Sequence, residues 1–167
     1  MQRKPRKVKL SSLIVVGEGP HDKAFINHMK GLYDHRESGQ RVKVESADGG
    51  SPRDILKSAV KNKHAEYDKK YVLMDSDVPI SQQDRDYAEK KRIEIIQSTP
   101  VCLEGMLLDA LGLSVPNGNN ECKQVFHRML SGPPTEKDSY SQLFTKKMLN
   151  ATTKKQLVTL KELLSNK

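Results

Sequence analysis

Apolar positions fall into short dense runs separated by longer amphipathic stretches, and that rhythm predicts the elements. Residues 13–16, Leu-Ile-Val-Val, form a continuous run rich in β-branched side chains, as a strand buried on both faces of a parallel sheet requires. Residues 71–74 are another short apolar run, residues 93–96 make a fourth strand, and residues 41–45 alternate basic and apolar positions as a half-exposed strand does. Between these runs the period changes. From His21 onward Phe25, Ile26, Met29, Leu32 and Tyr33 recur at helical spacing behind Pro20, whose missing N–H costs nothing in a first turn. A second helix is predicted over 52–63, opened by Ser51 and Pro52; a charged, exposed one over 82–91; and a buried one over 101–113, apolar nearly all round.

Strands alternating with helices predict an α/β fold: a Rossmann-like, mostly parallel sheet of about four strands with helices on both faces. Loops are expected at 115–120 and 131–134, and helices at 121–130, 140–150 and 153–164, the last opened by a capping box of Thr153 and Gln156. The chain thus divides into a basic arm (1–10), an α/β core (11–114) and a C-terminal helical extension (115–167) packed on that core.

Charge adds a partner class. Lys and Arg outnumber Asp and Glu by 29 to 21, a formal net charge of +8, which favours polyanions. Arg3, Lys4, Arg6 and Lys7 surround Pro5 in an arm that can follow a phosphate backbone, although a solvated tail has the same composition. The apolar run behind this arm stops at Gly17-Glu18, too short for a signal peptide or a membrane span, so a cytoplasmic protein without membrane contact is expected. Cys102 and Cys122 lack the spacing of a zinc knuckle or a disulfide framework.

Candidate chemistry sits at the predicted strand ends, where open α/β sheets bind ligands. Glu18 follows the first strand between two glycines; Asp75 and Asp77 follow the third, and side-chain alternation lets two Asp one residue apart face the same way. Carboxylates gathered there repel one another unless a divalent ion neutralises them, and Mg²⁺ suits a site with few carboxylates and room for phosphate oxygens. Asp22, in the first turn of the first helix, is a further candidate ligand, although the helix dipole alone favours an acid there. Glu104 is anomalous, because Leu107, Leu108 and Leu111 put it on an apolar face, and a buried carboxylate needs a metal or a partner. Lys23 and Arg53 are candidates for holding phosphates, by charge and position. The turn at Gly49-Gly50-Ser51-Pro52 can bind an anion or simply cap a helix. His21, His28 and His35 read as surface residues, with His21 alone near the acids. Neither a nucleotide-hydrolysis loop nor a Ser or Cys nucleophile with a fitting His is present.

The stretch Leu13-Ile14-Val15-Val16-Gly17-Glu18-Gly19, followed by Asp22 and by Val72-Leu73-Met74-Asp75-Ser76-Asp77, resembles the Toprim pattern of a strand-end Glu and a later Asp-x-Asp. Residues 95–104, with Ser98, Pro100 and Glu104, further resemble the Ser-x-Pro-x-x-x-Glu stretch of the small RloB-like and OLD-nuclease-like branch. The likeness spans residues 13–112. It differs from the pattern in Val78-Pro79 after the Asp pair and in Gly17 before the Glu. The resemblance implies a Mg²⁺- or Mn²⁺-dependent nuclease acting on DNA in preference to RNA, with Glu18, Asp75 and Asp77 catalytic and Glu18, Asp22, Asp75, Asp77 and Glu104 as metal ligands. It also implies a phage-defence or restriction setting and an ATPase or other protein partner; a homodimer is compatible with it. The competing reading is a non-catalytic Toprim-like subunit that binds nucleic acid or a nucleotide. A phosphatase of the haloacid-dehalogenase type with Asp75 as nucleophile ranks below both, since its Asp-x-Asp follows the first core strand.

Overall fold

A computed structural model describes residues 10–61 and 65–167. The candidate arm residues Arg3, Lys4, Arg6 and Lys7 lie outside the described residues. The elements run β1 (Ser11–Gly17), α1 (Pro20–Tyr33), β2 (Gln40–Ser46), α2 (Pro52–Ser58), β3 (Lys69–Asp75), α3 (Gln82–Lys91), β4 (Ile93–Ser98), α4 (Leu103–Ala110), α5 (Asn119–His127), α6 (Lys146–Ala151) and α7 (Lys155–Ser165).

All four strands are parallel, in the order β2-β1-β3-β4. Alternation along the central strands feeds two cores. Leu13, Val15 and Leu73 pack on one face with Phe25 and Met29 of α1, Leu107 of α4, Phe126 of α5 and Leu160 of α7. Ile14, Val16, Val72 and Met74 face the other way, onto Ile55 and Leu56 of α2 and Ala88 of α3. The sheet is therefore doubly wound. The connection after β1 runs outward to β2, and the next returns across β1 to β3, so the order of strands reverses between the carboxyl ends of β1 and β3. Such a reversal opens a crevice that a ligand can enter.

The last third of the chain joins the first core, where Phe126, Tyr140 and Phe144 stack edge and face around Phe25, with ring centroids 5.4–6.2 Å apart. Polar ties fix its position: Gln40 donates through Nε2 to the Leu163 carbonyl at 3.0 Å, and Tyr33 donates its hydroxyl to Asn150 Oδ1 at 2.7 Å. Among the described residues no helix is long and apolar enough to cross a membrane.

Several expected elements are shorter or shifted. The helix predicted over 52–63 ends at Ser58, and residues 62–64 lie outside the described residues. The helix predicted over 101–113 spans only Leu103–Ala110, because Val101 has φ 68° and turns the chain before the helix begins. The helix expected over 121–130 spans Asn119–His127. That expected over 140–150 resolves into a 3₁₀ turn at Lys137–Tyr140 and α6; the apolar residues are buried without a continuous helix between them. The capping box of Thr153 and Gln156 does not form. Lys154 is the N-cap of α7, and Gln156 instead donates through Nε2 to the Gln97 carbonyl at 3.0 Å and to Thr99 Oγ1 at 2.6 Å, tying α7 to the end of β4.

Candidate metal centre at the strand ends

Gly17 ends β1 where the first turn of α1 closes on the strand. A Cβ there would stand 2.6 Å from Asp22 Cβ and 3.1 Å from Lys23 N, so only glycine admits this approach. Gly17 is thus the residue that lets Asp22 reach the strand end. Gly17→Ala is expected to destabilise the chain by about 1–3 kcal/mol, the usual cost of overpacking a close contact, readable in a urea melt.

Glu18 is locked in place by three backbone-directed contacts. Its N–H donates to the Leu73 carbonyl at 3.0 Å, its carbonyl accepts from Gly49 N at 2.9 Å, and its Oε2 accepts from Asp75 N at 2.7 Å. The loop that brings Gly49 there is left-handed at Asp48, Gly49 and Gly50, with φ of 58°, 90° and 101°. Ser51 and Asp54 then cap α2 reciprocally: the Ser51 hydroxyl accepts from Asp54 N and Asp54 Oδ2 accepts from Ser51 N. This turn is a helix cap, the plainer of its two readings.

Asp75 and Asp77 do face the same way. One amide nitrogen, Asn119 Nδ2, lies 3.4 Å from Asp75 Oδ2 and 2.9 Å from Asp77 Oδ2. The second Asp75 oxygen accepts from Leu103 N at 3.3 Å, and the Asp75–Asp77 loop is anchored by Ser76 and Asp77 N–H groups that both donate to the Val101 carbonyl. Val101 is a β-branched residue in the left-handed region, a conformation that persists only where its surroundings impose it. Here it aims one carbonyl at two amides of the acidic loop.

Glu18, Asp22, Asp75 and Glu104 line one cleft of about 330 Å³, together with His21 and Lys123. Asp77 stands exposed outside that lining. Asp22 is only 6% exposed; its Oδ2 accepts from Gly19 N at 3.1 Å, while its Oδ1 is buried with no hydrogen-bond partner among the described residues. Burial, and then the neighbouring Asp75, Glu104 and Glu18 carboxylates, hold the Asp22 carboxyl well above the ordinary Asp range, against the stabilising Gly19 N–H. Burial first, followed by the charges of Glu18, Asp77 and Glu104, pushes Asp75 up to about 7. A buried carboxylate oxygen without a donor, among three other carboxylates, is costly when ionised, and Glu18, Asp22 and Asp75 are the oxygen donors here that could hold a hard cation.

Glu104 is 2% exposed and is met by two imidazoles on a single oxygen: His21 Nδ1 lies 3.2 Å and His127 Nε2 3.1 Å from Oε1. His28, expected at the surface, is buried in α1 with Nε2 2.7 Å from the Phe144 carbonyl, which leaves His35 exposed and His21 half-buried. Lys23 lies beside the acidic cleft, lining an adjoining one of about 550 Å³ that also holds Lys137 and shares Pro20 and Asp48 with it. Arg53 is engaged elsewhere: its Nε donates to Asp84 Oδ1 at 2.9 Å and its guanidinium lies 4.5 Å above the Tyr87 ring. Both cysteines are free and buried, and burial raises both thiols, so neither is an activated nucleophile.

Asn119, Lys123 and His127 escape sequence reasoning. All three come from α5 in the C-terminal extension, where nothing in their local spacing announces a site; only the fold brings them to the strand ends. Neither a family model, nor a curated protein, nor a solved structure matches this chain.

Proposed function

We propose that this chain is a Mg²⁺- or Mn²⁺-dependent nuclease that hydrolyses phosphodiester bonds, in DNA in preference to RNA. One observation carries the reading: Asp22, whose Oδ1 is buried without a hydrogen-bond donor among the described residues, lines a cleft with Glu18, Asp75 and Glu104 at the reversal point of a doubly wound sheet. Glu18, Asp22 and Asp75 would hold the ion, with Asp77 at the rim. The bound ion supplies positive charge at the scissile phosphate, which this reaction needs most.

The chain's own residues do the rest. Glu18 is oriented by the Asp75 amide and keeps one oxygen free of that bond. Asp75 is positioned by the Leu103 N–H, which its Oδ1 accepts at 3.3 Å. Lys123 on the cleft wall, with Lys23 and Lys137 along the adjoining cleft, offers cations for a phosphate backbone. The Toprim resemblance adds the phage-defence setting and a partner ATPase to the proposal.

The test is cleavage of supercoiled plasmid, single-stranded DNA and RNA in Mg²⁺ or Mn²⁺, by wild type and by the Asp75→Asn, Asp77→Asn double variant. Metal-dependent cutting that the variant loses supports the reading and names the polymer. Salt-sensitive binding without cutting replaces it with a nucleic-acid-binding subunit.

A further inference from the structure

The geometry points to a second metal site, distinct in chemistry from the strand-end acids: His21, Glu104 and His127 bind a first-row transition dication of the Zn²⁺ or Co²⁺ type. The three ligand atoms, His21 Nδ1, Glu104 Oε1 and His127 Nε2, all lie within 4.8 Å of one another. Ligands held about 2.1 Å from one ion stand about 3.0 Å apart at right angles and about 3.4 Å apart at the tetrahedral angle. The two nitrogen–oxygen separations, 3.2 and 3.1 Å, already fall in that range. Only the two nitrogens have to close, by no more than about 1.4 Å if the tetrahedral spacing is taken.

The three groups come from three rigid elements distant in sequence: the first turn of α1, the first turn of α4 and the last turn of α5. Such a convergence is what a metal site requires and what local packing does not produce by itself. The plain alternative is a buried carboxylate solvated by imidazole N–H groups. One imidazole would suffice for that; here two compete for a single oxygen, at ring centroids 4.9 Å apart. The side chains of His21 and His127 are 29% and 25% exposed and that of Glu104 is 3% exposed, so an ion can reach the nitrogens while the carboxylate stays shielded.

Ligand type sets the selectivity. Two imidazoles and one carboxylate favour Zn²⁺, Co²⁺ and their neighbours over Mg²⁺, which the oxygen-only strand-end set favours. The cleft shared by His21, Glu104, Glu18, Asp22 and Asp75 would then hold a hard and a borderline ion side by side. The inference does not rest on nuclease activity, and each can fail without the other.

It is tested by titrating Co²⁺ into the full chain in excess Mg²⁺, following the visible d–d absorption, with wild type, His127→Gln, His21→Gln and Asp75→Asn. One Co²⁺ per chain is expected, with affinity reduced at least about a hundredfold in His127→Gln and His21→Gln and changed less than about threefold in Asp75→Asn. Circular dichroism checks that each variant is folded; either histidine variant that folds decides the question, and His127 ends a helix where Gln fits. Absence of Co²⁺ binding, or binding unchanged in the folded histidine variants, overturns the site. Equal loss in Asp75→Asn overturns its separateness, placing the ion among the strand-end acids.

Discussion

The Asp75→Asn, Asp77→Asn double variant is expected to lose at least about a thousandfold of the metal-dependent cleavage rate while unfolding at the same or a higher denaturant concentration than wild type. The rate falls because Asp75, which would hold the ion, and Asp77 at its rim both become neutral, and a polarising charge at the phosphate is worth several kcal/mol of barrier. The fold survives because Asn keeps an acceptor for Leu103 N, and its amide nitrogen can donate to Asn119 Oδ1, an oxygen without a partner among the described residues, once the Asn119 amide turns over. Stability rises where the lost charge was costly: Asp75 is pushed up to about 7 by burial and by three neighbouring carboxylates, so at pH 8 its ionised form opposes folding. Activity and stability therefore move in opposite directions, as they do where a site is built against the fold's own preference. A variant that lost cleavage by unfolding would lose both. Rates on the preferred polymer, paired with urea melts at pH 8, separate the two.

Asp22 gives the second large effect, in the stability of the metal-free protein. In the unfolded chain an Asp titrates near its ordinary value; in the fold both Asp22 and Asp75 titrate higher. Above the ordinary Asp range the native state therefore binds more protons than the unfolded state, and stability falls as pH rises. For Asp75 the fall runs from about pH 4 through about 7 and then levels; for Asp22 it extends through a folded-state value well above the ordinary one. Metal-free protein should thus be less stable at pH 8 than at pH 5.5. Asp22→Asn should flatten that slope and raise stability at pH 8 by about 1–3 kcal/mol, because its amide keeps the acceptor for Gly19 N and turns a donor toward the carboxylates. Urea melts of both proteins between pH 5.5 and 8.5, with chelator present, check this. A wild-type stability flat across that range, or an Asp22→Asn variant weaker at every pH, contradicts the electrostatic account.

The parts legible in the sequence are those that local chemistry decides. Residues 13–16 and 71–74 are dense, β-branched or aliphatic runs, and they form the two central strands. The helix over 82–91 matches at both ends, because Ser81 caps its start and Arg92 leaves it in the left-handed conformation. Glu18 and the Asp75–Asp77 pair lie at the carboxyl ends of β1 and β3 because glycine and the end of each apolar run mark where the strands stop. The parts that periodicity misplaces are set by distant partners. Val101 and Cys102 are apolar and extend a helical pattern, yet the amides of Ser76 and Asp77 hold the Val101 carbonyl in a turn. Tyr140 and Phe144 are spaced for a helix, but the aromatic cluster around Phe25 buries them with a 3₁₀ turn between Lys137 and Tyr140. Glu104 is an anomaly visible in the sequence, while its partners, 83 residues before it and 23 after, obey no spacing rule.

The central claim is that the acids at the ends of β1 and β3 hold a hard divalent cation, and calorimetric titration of Mg²⁺ at pH 8 tests it most directly, with wild type, Asp75→Asn and His127→Gln side by side. The account predicts one Mg²⁺ bound per chain by wild type and by His127→Gln, and binding weakened at least about tenfold in Asp75→Asn. No uptake of Mg²⁺ by the wild-type chain, or uptake that Asp75→Asn leaves unchanged, would contradict it.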